Sequence, residues 1–263
     1  MHTHHSDGQL APRELLAAVR QQQVDHWAVT DHDSVRGWQA LAAEPGLIPG
    51  VEITAGFAGR EVHIVGLGID PRHAELLTFL ADIRALRLRR LTVLIARLPD
   101  DVKRGLTLQA LCTDPLARDS ESFGRLHLAR SLLRRGGVSS ISDAFEHHLG
   151  DEHTTDFDLE PYPLPSEVSA VIHAAGGVAI LAHPGVYSTF AVIEPLMAQG
   201  LDGLEVNHPN LDPNLQATLL STAVARSWLI SAGSDLHFLG ARKPGAWSMD
   251  ERHRPLLDRL RVA

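Results

Sequence analysis

The chain opens with a helical pattern. "PRELLAAVRQQ" puts Leu15, Leu16 and Val19 on one face, with Pro12 suited to a first turn. "HWAVTDHD" follows, a short apolar run that passes into polar residues. "LIPGVEIT" repeats that form, and "EVHIVGLGI" alternates as a half-buried strand should. Residues 72–98 read as one long helix. From about 99 to 162 the pattern is more polar and less regular, with helices expected at "LHLARSLLRRG" and "SISDAFEHHLG". Alternation of short apolar runs and amphipathic stretches then returns through "EVSAVIHAAG", "GVAILAHPG", "FAVIEPLMAQG", "GLDGLEVNHP", "NLQATLLSTAVARS" and "WLISAGSDLH". Strands separated by helices imply an α/β protein with a parallel sheet, and this many in series predict a barrel.

At 263 residues the chain can bury a full core, as one barrel-sized domain or one domain with a small insertion. No apolar run approaches the about 18 residues of a membrane helix. The single cysteine, Cys112, excludes an internal disulfide and thiolate zinc sites, and predicts a reducing, cytoplasmic setting. Sixteen histidines are the outlying count and invite a metal reading. A formal net charge of −8 argues against wrapping of nucleic acid by the whole surface. Residues 71–140 nevertheless hold 13 of the 24 Lys and Arg but only 7 of the 32 Asp and Glu, which points to a small or narrowly placed anionic ligand.

The metal-capable residues share one topological position. Asp31, His32 and Asp33 follow the apolar run Trp27–Val29, and Glu52 follows Ile48 and Val51. His183 follows "VAILA", and Asp235 and His237 follow "WLISAGS". In a β/α barrel the carboxyl ends of the strands form one rim, so these distant residues converge there. His2 and His4, two apart on an extended segment, would point to one side and chelate one ion. Imidazole and carboxylate donors suit zinc, manganese or iron, and Glu52 could bridge two ions. Clustered divalent ions activate water and clamp phosphate oxygens, so no serine or cysteine nucleophile is required.

In order, "HTH…SDG", "TDHD", "LIPGVEIT", "VHIVGLGIDP", "LAHPG" and "GSDLH" resemble the PHP (polymerase and histidinol phosphatase) family. Within it they are most similar to the branch of nucleoside 3′,5′-bisphosphate phosphatases and 5′→3′ exoribonucleases. The resemblance implies a distorted seven-stranded β/α barrel over 1–98 and 163–263, a small helical insertion over 99–162, and two to three divalent cations (Mn2+, Zn2+ or Fe2+). It implies a first ion on His2, His4, Glu52 and Asp235, a second on Glu52, His63 and His183, and a third on Asp7, His32 and His237. It also implies phosphate contacts from Arg125 and His127, with Arg90 of the "RLRR" run as a further substrate contact. Asp33 is a candidate for proton handling, or for orienting His32.

Three features depart from the branch. Met1 stands directly before His2 where the branch has Asp-Leu-His, so the expectation is a start lying upstream or a trimmed chain. The His4–Asp7 interval is short, which leaves His5 as the alternative to Asp7 for the third ion. "DEHTTDFD" replaces a tyrosine-containing turn.

The implied function is hydrolysis of nucleotide phosphates: 3′,5′-bisphosphates, or short RNA from its 5′ end. The expected partner is a nucleotide or short RNA, with no membrane. One alternative is an amidohydrolase. Its binuclear form needs a lysine at a strand end, and neither Lys103 nor Lys243 lies in such a strand. The other is a degenerate PHP domain with a structural or partner-binding role, which would show as loss of several ligands.

Overall fold

A computed structural model describes the chain apart from residues 118, 154–158, 188, 189, 241, 262 and 263. Its sheet runs in sequence order: β1 (Trp27–Val29), β2 (Leu47–Phe57), β3 (Arg60–Leu67), β4 (Val178–Leu181), β5 (Gly203–Asn207) and β6 (Leu229–Ala232). At the open side Thr30 N donates to Met1 O and His2 N donates to Leu236 O, both at 2.9 Å. Residues 1 and 2 therefore lie between the extension of β1 and that of β6. The result is a distorted barrel.

The sheet is not uniformly parallel, contrary to the expectation from alternation. β1–β2, β4–β5 and β5–β6 are parallel, but β2–β3 and β3–β4 are antiparallel. The cause is local. Ala58 and Gly59 both have positive φ, 50° and 76°, between the paired residues Phe57 and Arg60. A two-residue turn of that handedness sends the chain straight back. Reversal of β3 places its first half at the rim where parallel strands present their last residues. His63 consequently sits opposite Thr54, two residues beyond Glu52 on β2.

The long helix Ala74–Arg97 belongs to two cores. Leu76, Leu80, Ile83 and Leu86 pack with Val51, Ile53 and Ile64 in the barrel. Leu91, Leu94 and Ile95 pack with Leu111, Leu128, Leu132 and Leu149 in a second apolar cluster, built largely from residues 99–162. The helix at "LHLARSLLRRG" spans Arg125–Arg134. That at "SISDAFEHHLG" begins as Ile141–Ala144 and widens into a π turn over Phe145–Leu149. Residues 121–130 grip the barrel at its opening loop. His127 Nε2 lies 3.0 Å from Ser6 O, Arg130 donates to Asp7 O at 2.6 Å, and Glu121 N donates to His5 O at 2.8 Å.

Candidate metal centre and adjoining cleft

Glu52 is the hub of the rim. It is 3 % exposed and lies at an isolated parallel bridge with His32, where β2 continues past the end of β1. One carboxylate oxygen is 3.2 Å from His2 Nε2; the other is 3.1 Å from both His63 Nδ1 and His183 Nε2. His2 Nε2 is also 3.3 Å from Asp235 Oδ1. Asp7 closes the far side, 3.1 Å from His237 Nε2 and 3.7 Å from His32 Nε2. Three overlapping donor groups result: His2, Asp7, His32 and His237; His32, Glu52 and His63; and His2, Glu52 and Asp235.

Strand ends hold these groups in unusual backbone conformations. Asp33, His183 and Asp235 have φ of 49°, 34° and 47°, the left-handed region that side chains seldom adopt. Such strain gathers where a side chain must be aimed at a site. At His183 a buried carboxylate supports it: the backbone N–H donates to Glu205 Oε2 at 2.6 Å.

The donor set suits cations. His2 Nδ1, His32 Nδ1 and His183 Nδ1 are buried without a hydrogen bond, ring nitrogens of the kind that serve as metal ligands. Burial works against charge on Glu52, yet His32, His183, His2 and His63 hold its carboxyl well below the usual range. Burial likewise opposes a charged His2, but Asp235 and Glu52 outweigh it and raise its pKa to about 10. Crowded carboxylates thus stabilise positive charge here, whether proton or metal.

The opening loop corrects the expectation for His4. Residues 4–7 form a turn rather than an extended strand, because Asp31 accepts from Thr3 N (2.6 Å), Thr3 Oγ1 (2.7 Å) and Ser6 Oγ (2.8 Å). Alternation therefore fails. His4 packs edge-on against His5, ring centroids 4.6 Å apart, and enters none of the donor groups. His5 turns to Asp119 O at 3.1 Å. Asp7, despite the short interval, reaches His237 and His32.

Other candidates are engaged elsewhere. Asp33 is fully buried and accepts from Thr54 N and Oγ1, both at 2.8 Å, with Arg87 at 3.3 Å. Both of its oxygens are committed, so it braces the strand ends. His127 is 7 % exposed; its Nδ1 accepts from Gly124 N at 3.1 Å and its Nε2 faces Ser6 O. It caps a helix and ties down the loop, which leaves no nitrogen for a phosphate. Arg125 lies between Glu61 (3.3 Å) and Asp151 (2.7 Å). Arg90 stands farther along the long helix, its guanidinium over the Tyr162 ring.

Glu61 and Arg87 were not anticipated. Glu61 Oε1 is 3.0 Å from His63 Nε2. The signal was present: in an alternating strand, a residue two before His63 shares its face. Arg87 lies four residues after Ile83 and seven after Leu80, on the apolar stripe of the helix, and donates to Thr54 Oγ1 at 2.6 Å and Phe123 O at 2.9 Å. Glu61, Arg87 and Arg125 form the inner wall of a cleft of about 940 Å³, which runs outward past Arg90 and Tyr162.

No protein-family model matches the chain. Individual proteins do. It is 33% identical over 247 residues to a 5′-3′ exoribonuclease of Haemophilus influenzae, covering 90% of this chain and 88% of that one. It is 31% identical to a 3′,5′-nucleoside bisphosphate phosphatase of Chromobacterium violaceum, covering 96% and 89%. The chain belongs to the PHP family. A solved metal-dependent phosphoesterase from Bifidobacterium adolescentis superposes with a TM-score of 0.83 at 30% identity, over 98% of this chain and 94% of that one. This PHP chain is a phosphoric ester hydrolase. No described helix is long and apolar enough to cross a membrane.

Proposed function

We propose that this enzyme holds two to three divalent cations, of manganese, zinc or iron, and cleaves phosphate esters of nucleotides or of short RNA from its 5′ end. The observation that carries the reading is Glu52. It is a buried carboxylate with His2 on one oxygen and His63 and His183 on the other, and it faces the Asp7–His32–His237 group. His2 and Asp235 with Glu52 would hold one ion, His63 and His183 with Glu52 a second, and Asp7, His32 and His237 a third. When bound, such ions supply Lewis-acid polarisation and an activated water.

The protein's own side chains do the remainder. Arg125 carries a permanent charge on the inner wall of the cleft, and its planar guanidinium suits phosphate oxygens. Glu61 and Asp151 keep that guanidinium in place. Arg87, buried in the same wall, pairs with Asp33 and braces it. The cleft is at the large end for a small-molecule pocket, which favours a substrate longer than one nucleotide. Lys103 ends a short helix and pairs with Asp100 at 2.8 Å, and Lys243 lies in no strand, which disfavours an amidohydrolase centre.

Protein stripped of metal and reloaded with Mn2+ should release phosphate from adenosine 3′,5′-bisphosphate, or mononucleotides from 5′-phosphorylated oligoribonucleotides. Inactivity toward both substrates, with metal shown to be bound, overturns the proposal.

A further inference from the structure

Arg90 is built differently from the arginines at the metal rim. Its Cζ sits 4.3 Å from the centroid of the Tyr162 ring. Its Nη2 donates to Glu160 O at 3.1 Å, and its Nε is buried without a hydrogen-bond partner. Tyr162 is only 9 % exposed, so the ring is a fixed backing. It is seated against β2 where Gly56 leaves the space: a Cβ there would stand 3.2 Å from Tyr162 O and 3.3 Å from its Cβ. Gly56 N also donates to Pro163 O at 2.9 Å, which pins the segment.

Charge and shape divide along the cleft. Arg87 and Arg125 face carboxylates near the donor cluster, while Arg90 stands over an aromatic ring. Phe57, Phe79 and Phe123 line the same cleft. A guanidinium seated over a phenol ring is itself planar, and Arg90 lines the cleft from that position. Nucleobases stack on such planes with little regard to sequence.

We infer that Arg90, backed by Tyr162, is the seat for a nucleobase of the substrate, in a phenol–guanidinium–base stack. This rests on the nucleotide reading above and adds that the base, not only the phosphate, is recognised.

Calorimetry on the metal-loaded protein tests it with adenosine 5′-monophosphate and ribose 5-phosphate as probes. The wild type should bind the nucleotide about tenfold more tightly than the sugar phosphate, the usual scale of one base stack. Arg90→Lys keeps the charge but removes the plane. It should abolish that preference while leaving ribose 5-phosphate affinity unchanged within about twofold. Tyr162→Leu, which removes the backing, should lower the preference in the same direction.

Equal weakening of both probes by Arg90→Lys would make Arg90 a phosphate contact and overturn the inference. So would a wild type without preference, or a variant that retains it. Turnover separates the two readings. Absent hydrolysis with an Arg90-dependent preference removes the hydrolytic reading alone, and hydrolysis with an Arg90-independent preference removes the shelf alone.

Discussion

Glu61 Oε1 lies 3.0 Å from His63 Nε2, which leaves His63 Nδ1 facing Glu52 and His183, each at 3.1 Å. A carboxylate on the outer nitrogen of an imidazole fixes its tautomer and strengthens the inner nitrogen as a ligand. Burial opposes charge on Glu61, but Arg125, His63 and Arg87 hold its carboxyl well below the usual range, so it is ionised. Glu61→Ala should weaken metal binding about 10- to 100-fold, with Glu61→Gln recovering part of the loss. Competition against a chromophoric chelator measures this. Wild-type affinity in the alanine variant would leave Glu61 with no hold on the centre.

Glu52 takes part in two donor groups and Asp7 in one. Glu52→Gln should therefore release more metal per chain than Asp7→Asn, as read by atomic emission after gel filtration. Its activity should fall by more than the about 100-fold that marks the upper range for a supporting residue. Equal metal loss in the two variants would show that Glu52 is not shared.

Much of the clustering was legible because strand ends in a barrel converge, whatever the distance between them in the chain. The convergence of His32, Glu52, His183, Asp235 and His237 follows from that rule alone. His4 did not obey its spacing, since Asp31 folds the opening segment into a turn and period-two alternation holds only on a strand. The antiparallel β3 was hidden in two residues, Ala58 and Gly59, whose positive φ no hydrophobic pattern reports. His127 matched a motif, but its nitrogens are claimed by Gly124 N and Ser6 O, contacts across 121 residues in the second case.

The Arg87–Asp33 pair is a structural device with a measurable cost. Both groups are buried, 3.3 Å apart, and Gly124 approaches so closely that a Cβ there would collide with the guanidinium. Arg87→Met leaves Asp33 charged and unpaired in the core, and should destabilise the fold by about 3–5 kcal/mol in urea unfolding. Arg87→Met with Asp33→Asn should cost less than the sum of the single changes, because no orphan charge remains. Additive losses would mean that the two groups do not interact.

His127 makes stability depend on pH in a defined direction. Burial is the main cause that lowers its pKa from 6.5 to about 4, so the folded state prefers the neutral ring. The neutral ring is also what the geometry requires, with Nδ1 accepting from Gly124 N and Nε2–H donating to Ser6 O. A depressed folded pKa means that stability is complete above about pH 6.5 and is lost as pH falls toward about 4. The span corresponds to about 3 kcal/mol. His127→Gln keeps a side chain that can accept and donate but cannot titrate. It should be less stable than wild type at pH 7, with the difference shrinking or reversing near pH 4.5. Thermal melting across that range, at constant ionic strength, decides the point. Parallel profiles for the two proteins would show that His127 is not the neutral, buried tie between the helix Arg125–Arg134 and the loop that carries Asp7.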